Sequence, residues 1–321
     1  MQITINQTQV DVLSGETLLE TARRTGHDIP ALCYARGFVH KASCMVCAVK
    51  DCATGQIIPS CTTLPAEGMQ IDTESEEVQT ARNLSLELLL SDHRADCEAP
   101  CSVVCPHGFD IEQMLNLYDT GKHEEAHTLI TAAFALPVSG CDNCKAPCEK
   151  ICRRASVDKA VSIREIIHEL TGKYEPISVA AKKDGKKTDK TLFQSRLGRF
   201  TAREKEWLKE NVATPSGCLH CACTGREGCK LRLYATVAGI KRSRYESSSA
   251  FPVMRKEHVT GNMWFEPAKC IRCGLCVYNS KNGFTFRDRG FGMQVVIPDE
   301  NKMNVGKEHA ELCPTGALYL F

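Results

Sequence analysis

The sequence predicts an α+β protein built from several small domains. The chain has 321 residues, which is the length of two or three domains. Its first residues alternate apolar and polar side chains, with Ile3 and Ile5 in one strand and Val10 and Val12 in the next. Further along, helical patterns alternate with tight groups of cysteines. These observations predict a β-rich N-terminal segment, a helical middle and a mixed C-terminal segment.

The N-terminal segment, residues 1–74, is predicted to carry a short helix from about Glu16 to Thr25 that ends at Gly26. Residues 73–76 read Thr-Glu-Ser-Glu, which is a capping-box pattern. We expect this pattern to begin a helix whose buried face consists of Val78, Ala81, Leu84 and Leu88.

Residues 75–175 are predicted to form a helical domain. One helix begins after an N-cap at Asp110 and covers residues 111–118, a second spans 123–134, and a third runs from about 158 to 170. Residues 176–211 form a linker and a short helix: residues 181–190 are charged, and a capping box at Thr201–Glu204 begins the helix.

The remaining chain is divided between a cysteine-rich segment at 212–249 and a compact segment at 250–321. The compact segment contains a predicted strand pair, 283–287 and 293–297.

The composition narrows the class of protein. The formal net charge is +1, which does not favour a nucleic acid or an anionic membrane as a partner. No apolar run approaches the roughly eighteen residues that a membrane span needs. The first residues lack the pattern of a signal peptide, so we expect a cytoplasmic protein.

Twenty cysteines, most of them in short and regular groups, dominate the chemistry. In a long cytosolic chain thiols stay reduced, and clustered thiols indicate metal ligands and not disulfides. Cys52 lies outside every group and is interpreted as a buried or incidental thiol.

The first cysteine group has the spacing C-x10-C-x2-C-x13-C and comprises Cys33, Cys44, Cys47 and Cys61. Thiolates are the natural ligands of an iron–sulfur cluster, although four cysteines also suit zinc. The group resembles the [2Fe–2S] domain of the large iron–sulfur subunit of respiratory complex I and the equivalent part of NAD-linked hydrogenases. That resemblance implies a β-grasp [2Fe–2S] ferredoxin domain.

The last group combines C-x2-C-x2-C with a remote Cys-Pro and comprises Cys270, Cys273, Cys276 and Cys313. Two-cluster ferredoxins have another cysteine soon after the third, where this chain has Asn279 and Ser280. One [4Fe–4S] cluster is therefore expected. The same split pattern occurs in the complex I subunit, which implies a ferredoxin-like [4Fe–4S] domain.

A third group comprises Cys218, Cys221, Cys223 and Cys229. Complex I has a His-x3-Cys-x2-Cys-x5-Cys site at the corresponding place, and this chain matches only its final C-x5-C. We predict that the four cysteines bind a [4Fe–4S] cluster and that His220 is a hydrogen-bond donor beside the thiolates.

The middle of the chain holds His93-x3-Cys97 followed by Cys101, Cys105 and the run Cys141, Cys144, Cys148 and Cys152. It resembles the helical two-cluster domain of the glutamate synthase small subunit and dihydropyrimidine dehydrogenase, where the two runs interleave. The resemblance implies one [4Fe–4S] cluster on Cys97, Cys101 and Cys152 with His93 as candidate fourth ligand. It implies a second on Cys105, Cys141, Cys144 and Cys148. The alternative is one cluster for each run, with His93 completing the first.

The predicted inventory is one [2Fe–2S] and four [4Fe–4S] clusters. Five clusters need twenty ligands, and the twenty cysteines minus Cys52, with His93 added, supply twenty. No Gly-x-Gly-x-x-Gly follows a strand, and no P-loop or catalytic dyad is visible. The sequence therefore predicts a non-catalytic electron-transfer subunit that carries single electrons.

The resemblances imply a multisubunit NAD(P)H-linked oxidoreductase. A flavin-containing subunit would exchange electrons with the nucleotide, and a hydrogenase or molybdopterin-type formate dehydrogenase subunit would perform the terminal chemistry. The glutamate synthase-like insert suggests, as a further hypothesis, a second flavin and electron bifurcation. Two alternatives stay open: a free-standing ferredoxin-like shuttle and a zinc-dependent structural scaffold.

Overall fold

The computed structural model describes residues 1–93, 96–134, 139–173, 200–225, 227–240, 245 and 254–321. The charged segment predicted as a linker, 181–190, lies outside these residues. The chain divides into two compact units: unit 1 contains residues 1–94, 224–251 and 255–321, and unit 2 contains residues 95–223 and 252–254. The five-segment division of the sequence stays a prediction. None of the described helices is long and apolar enough to cross a membrane.

Unit 1 begins with a mixed five-stranded sheet. Its strands are β1 (Gln2–Ile5), β2 (Thr8–Asp11), β3 (Ala48–Asp51), β4 (Ile57–Pro59) and β5 (Gln70–Asp72), in the spatial order β2-β1-β5-β3-β4. Only the β1–β5 pair is parallel among these neighbours. The predicted alternation is confirmed at β1, where Ile3 and Ile5 are buried together with Leu18 and Leu19 of helix α1 (Leu18–Arg24). Thr17 and Glu20 form the capping box that begins this helix.

Helix α2 (Glu76–Asp92) exists as predicted, but its start and its buried face differ from the prediction. The predicted capping box does not form: Thr73 is hydrogen bonded through its backbone and hydroxyl to Asn6, and the N-cap is Ser75, which makes no side-chain cap. The predicted face was right at Val78, which is buried, and wrong at Leu84 and Leu88, which are 41% and 48% exposed. The buried residues follow an i, i+4 pattern, and they are Val78, Arg82, Leu86 and Leu90.

Unit 2 is helical. Its helices are α3 (Pro100–Val104), α4 (Ile111–Asp119), α5 (His123–Ala133), α6 (Ser139–Asp142), α7 (Pro147–Lys150), α8 (Ile163–Lys173) and α9 (Ala202–Asn211). The Asp110 cap of α4 and the Thr201–Glu204 capping box of α9 are confirmed. Helix α8 begins five residues later than predicted, and the predicted start Asp158 instead pairs with Arg154. Apolar side chains of α4, α5 and α8 form a common core with Cys148 and Cys218.

The rest of unit 1 contains α10 (Lys230–Val237), β6 (Glu257–Thr260), β7 (Met263–Phe265), α11 (Leu275–Asn279), β8 (Thr285–Arg287), β9 (Gln294–Val296), α12 (Lys307–Leu312) and β10 (Leu318–Leu320). Strands β10, β7 and β6 form an antiparallel sheet. Strands β8 and β9 form an antiparallel pair, which confirms the strand pair predicted for this segment. The side chains between these elements, including Phe265, Phe284 and Leu318, form a core that also contacts Cys270, Cys276 and Cys313.

Candidate metal centres

The first cysteine group lies in the loops around the five-stranded sheet of unit 1. Cys33, Cys44, Cys47 and Cys61 are each 5% exposed or less. Thiol hydrogen bonds join Cys33 to Cys44, Cys33 to Cys61 and Cys47 to Cys61. The structure therefore brings together the four residues that the spacing predicts for the [2Fe–2S] cluster.

The thiols of this group divide into two that lose a proton easily and two that keep it. Bonds from the thiols of Cys44 and Cys61, and from the backbone N–H groups of Ser43 and Cys44, hold the pKa of Cys33 well below its usual range. Hydrogen bonds from Cys61 and Ser60 lower the pKa of Cys47 to about 6. The same thiol–thiol hydrogen bonds, with burial, raise the pKa of Cys44 and of Cys61 well above the usual range, so iron must displace a proton from these two thiols.

The last cysteine group lines an apolar cavity of about 340 Å³ in unit 1. Cys270, Cys273, Cys276 and Cys313 all contribute to its wall. Backbone N–H groups donate to two of the sulfurs: Arg272 to Cys270 at 3.4 Å and Leu318 to Cys313 at 3.4 Å. Burial raises the pKa of Cys270 to about 12, so iron must displace a proton there.

The loops of these two groups contact each other within unit 1. Val39 and Asn279 exchange two hydrogen bonds, from the Val39 N–H at 2.9 Å and from the Asn279 amide at 2.8 Å. The Ser43 hydroxyl lies 3.5 Å from the carbonyl oxygen of Cys273. The Lys41 ammonium lies 4.9 Å from the ring centroid of Tyr278. Sequence reasoning did not find these contacts, because no local pattern links residues more than two hundred positions apart.

A second cavity, of about 370 Å³, lies in unit 2. Its wall includes Cys105, Cys141, Cys144 and Cys148, which are the four residues predicted for one cluster of the interleaved pair. Burial raises the pKa of Cys141 and of Cys148 to about 11. The remaining lining is largely apolar and includes Phe109, Phe134 and Ile163.

A third cavity, of about 340 Å³, is lined by four cysteines that the sequence had placed in two different sets. They are Cys101, Cys152, Cys218 and Cys221. The first two were predicted to share a cluster with His93 and Cys97, and the last two with Cys223 and Cys229. The structure groups them differently because the loop carrying Cys218 and Cys221 packs onto helix α4 beside Cys101 and Cys152.

Cys97 and Cys223 each follow one residue of an isolated β-bridge in unit 2. A parallel bridge joins Asp96 to Ala222, and the Cys223 N–H donates to the Asp96 carbonyl at 3.1 Å. Cys97 and Cys223 are 6% and 3% exposed. The fourth member of the predicted third group, Cys229, belongs to unit 1 and is the N-cap of α10, where its sulfur accepts from the Arg232 N–H at 3.4 Å.

His93, at the C-terminal end of α2, has the surroundings of a ligand. It is 5% exposed, and neither ring nitrogen has a hydrogen-bond partner among the described residues. Burial lowers the pKa of His93 to about 4, so its imidazole is neutral at pH 7. A buried imidazole with two unsatisfied nitrogens costs free energy unless something binds it, and a neutral imidazole is a good metal ligand.

Two side chains beside the cysteines have clear roles in positioning. His220 lies between the carboxylates of Glu112 and Asp119, at 3.2 and 3.0 Å, and its role as a donor beside the thiolates stays a prediction. Arg153 is 14% exposed and paired with the fully buried Asp96.

Three cavities, each lined by four cysteines, and one loop cluster of four buried thiols are the arrangement expected of an iron–sulfur protein. Among the described residues, no three His, Cys, Asp or Glu side chains are arranged to hold a single metal ion.

Comparison with known proteins identifies two iron–sulfur domains in this chain. Residues 1–76 match the 2Fe-2S iron-sulfur cluster binding domain, and residues 72–174 match dihydropyrimidine dehydrogenase domain II, which binds a 4Fe-4S cluster. An NADH-quinone oxidoreductase subunit of Rhizobium meliloti (strain 1021) is 30% identical over 124 residues, which are 38% of this chain and 14% of that protein. The HndD subunit of the NADP-reducing hydrogenase of Solidesulfovibrio fructosivorans is 34% identical over 166 residues, 47% of this chain and 27% of that protein.

A solved structure has the same fold along almost the whole chain. A chain of the NAD+-reducing [NiFe]-hydrogenase in the H2-reduced state superposes with a TM-score of 0.52 and 17% identity, over 99% of this chain and 86% of the other. These matches confirm the predicted resemblances: parts of the chain are related to an NADH-quinone oxidoreductase subunit and to a subunit of an NADP-reducing hydrogenase. It spans only a minor part of the length of the two curated relatives.

Proposed function

We propose that this chain is a non-catalytic electron-transfer subunit with one [2Fe–2S] and four [4Fe–4S] clusters. It relays single electrons between a flavin-containing, NAD(P)H-oxidising subunit and a terminal catalytic subunit of the hydrogenase or formate dehydrogenase type. Each bound cluster would supply one-electron redox chemistry, and the protein supplies its ligands and its electrostatic surroundings.

Contact between two ligand loops is the observation that best supports this proposal. Ser43 precedes Cys44 of the [2Fe–2S] group, and its hydroxyl reaches the carbonyl of Cys273 in the ferredoxin-like group. The paired hydrogen bonds between Val39 and Asn279 hold the same two loops together. Two clusters bound there would be neighbours, which is the arrangement that electron transfer between clusters requires.

Unit 2 repeats this arrangement with its own two cavities. Helix α3 carries Cys101, which lines one cavity, and ends at Cys105, which lines the other. Cys148 lies in helix α7 and lines the second of these cavities, and Cys152, two residues after the end of α7, lines the first. Cysteines four positions apart thus line different cavities, and Ile163 lines both cavities, so the two clusters would also be neighbours.

The partners and the location are part of the proposal. The relatives are named as NADH- and NADP-linked oxidoreductase subunits, which supports a hetero-oligomer with a flavin subunit and a hydrogenase or molybdopterin-type subunit. Twenty free thiols favour a reducing compartment such as the cytoplasm. Electron bifurcation remains the further hypothesis; finding one FMN and no other flavin in the purified complex would refute it.

The first experiment is to measure iron, acid-labile sulfide and zinc in anaerobically purified protein, followed by low-temperature EPR after dithionite reduction. The proposal predicts about eighteen iron atoms per chain, with signals from both [2Fe–2S] and [4Fe–4S] clusters. Zinc without sulfide would show a structural scaffold and overturn it. Purification from the native cell separates the two remaining functions, since a subunit retains partners in fixed stoichiometry and a free shuttle does not.

A further inference from the structure

We propose that Cys218 and Cys221 bind the same [4Fe–4S] cluster as Cys101 and Cys152. This inference rests on the proposed function, and it assigns to one site two cysteines that lie outside the matched domain at residues 72–174. The four line one cavity of unit 2, of about 340 Å³, with Pro100, Leu115 and Ile163 among the apolar residues of its wall.

Hydrogen bonds attach the loop before Cys221 to helix α4. Ser216 binds the carboxylate of Asp119 twice, through its N–H at 2.6 Å and its hydroxyl at 2.7 Å. The Cys218 N–H donates to the Ser216 hydroxyl at 3.0 Å. His220 then binds Glu112, on the same helix, and Asp119 again. These bonds fix the loop on the helix that forms one wall of the cavity.

The Cys218–Cys221 turn has the same local construction as the turn that begins the ferredoxin-like group. In Cys218-Leu-His-Cys221, His220 has φ +49° and donates its N–H to the Cys218 sulfur at 3.3 Å. In Cys270-Ile-Arg-Cys273, Arg272 has φ +55° and donates to the Cys270 sulfur at 3.4 Å. A left-handed residue at this position is uncommon for side chains other than glycine. The shared geometry indicates that both turns present two thiolates to one cubane cluster.

Assigning Cys218 and Cys221 to this cluster also changes which possible ligands remain outside the four sets of cysteines. With sixteen cysteines in four sets, the donors outside them are His93, Cys97, Cys223 and Cys229, besides the isolated Cys52. In sequence these read His-x3-Cys and Cys-x5-Cys, which are the two ends of the complex I pattern. The departure of the Cys218–Cys223 segment from that pattern is thereby explained, because Cys218 and Cys221 serve the other cluster.

The test compares single and double cysteine variants of the full-length chain, by iron and sulfide content and by EPR. Cys101→Ala and Cys218→Ala should each remove the same [4Fe–4S] signal, and the double variant should lose no more, leaving about fourteen of about eighteen iron atoms. The partition predicted from the sequence puts the two residues in different clusters, so a double variant with about ten iron atoms would overturn the inference.

Two controls make the result unambiguous. Cys101→Ala combined with Cys276→Ala should lose two clusters under either assignment and shows that separate losses add. If the alanine double variant does not accumulate, Cys101→Ser and Cys218→Ser retain an oxygen ligand, and both should shift one and the same EPR signal. Shifts in two different signals would overturn the inference. A wild-type protein without iron would instead refute the proposed function.

Discussion

Replacing Arg153 with alanine should destabilise unit 2 strongly. The guanidinium makes three contacts with the carboxylate of Asp96, at 3.1, 3.0 and 2.8 Å. Asp96 is fully buried, precedes Cys97 and accepts the N–H of Cys223 through its backbone. Arg153 itself follows Cys152. One ion pair thus connects three of the segments that carry proposed ligands.

The expected cost follows from the burial of the pair. Removing one partner of a buried ion pair leaves an uncompensated charge and costs about 3–5 kcal/mol. The variant Asp96→Asn combined with Arg153→Ala removes that charge and should recover about half of the loss or more. Lys122→Ala is the matched control, because its pair with Glu125 is 58% and 62% exposed and should contribute less than about 1 kcal/mol.

The assay is anaerobic urea denaturation, followed by the visible absorbance of the clusters and by circular dichroism. With a slope of about 3 kcal/mol per molar urea, Arg153→Ala should lower the midpoint by roughly 1–2 M. A shift as small as that of Lys122→Ala would refute the reasoning. So would a double variant as unstable as the single one, because the penalty would then not come from the isolated carboxylate.

Three further predictions concern unit 1. Gly316→Ala should abolish the [4Fe–4S] EPR signal of the ferredoxin-like group, since the added Cβ would lie 2.6 Å from a backbone oxygen. Gly290→Ala is the control: this glycine also has a positive φ, but an added Cβ would meet no atom within 4 Å, and the signal should be retained. Cys52→Ala should keep the full iron content, and iodoacetamide should label Cys52 first in the holoprotein, because this thiol is exposed. Leu86→Ala should lower the free energy of unfolding by about 2–5 kcal/mol, and Leu88→Ala by less than about 0.5 kcal/mol, because Leu86 is 3% and Leu88 is 48% exposed. Equal losses in the two variants would contradict the observed buried face of α2.

The sequence predicted best what depends on local chemistry. The caps at Asp110 and Thr201, the strand alternation at Ile3 and Ile5, and the hairpin of β8 and β9 each depend on neighbouring residues, and the structure confirms them. Cys33, Cys44, Cys47 and Cys61 also lie together as their spacing suggests. In these cases a short stretch of chain contains most of the information.

The partition of the middle cysteines depended on information that no short stretch contains. Cys101 and Cys218 meet because Ser216 and His220 bind side chains of α4, a contact across about a hundred residues. The prediction of the buried face of α2 was wrong for a related reason. Arg82 is buried because its guanidinium donates to the Ala48 carbonyl at 2.9 Å, so tertiary contacts overrode the pattern of leucines.

The discontinuity of unit 1 has a consequence for biosynthesis. The sheet formed by β1–β5 can be completed early, but Val39 must wait for Asn279, and Asp92 for its 2.8 Å partner Arg272, until residues 272–279 have left the ribosome. At about 5–20 residues per second, that delay is roughly 10–50 s. Through this interval the nascent [2Fe–2S] loop faces solvent without its later covering, whereas most of unit 2 is already synthesised. Cofactor loading in the cell is therefore expected to be ordered in time, because the loop of Cys33–Cys47 gains its contacts with Cys273 and Asn279 only after the β1–β5 sheet can form.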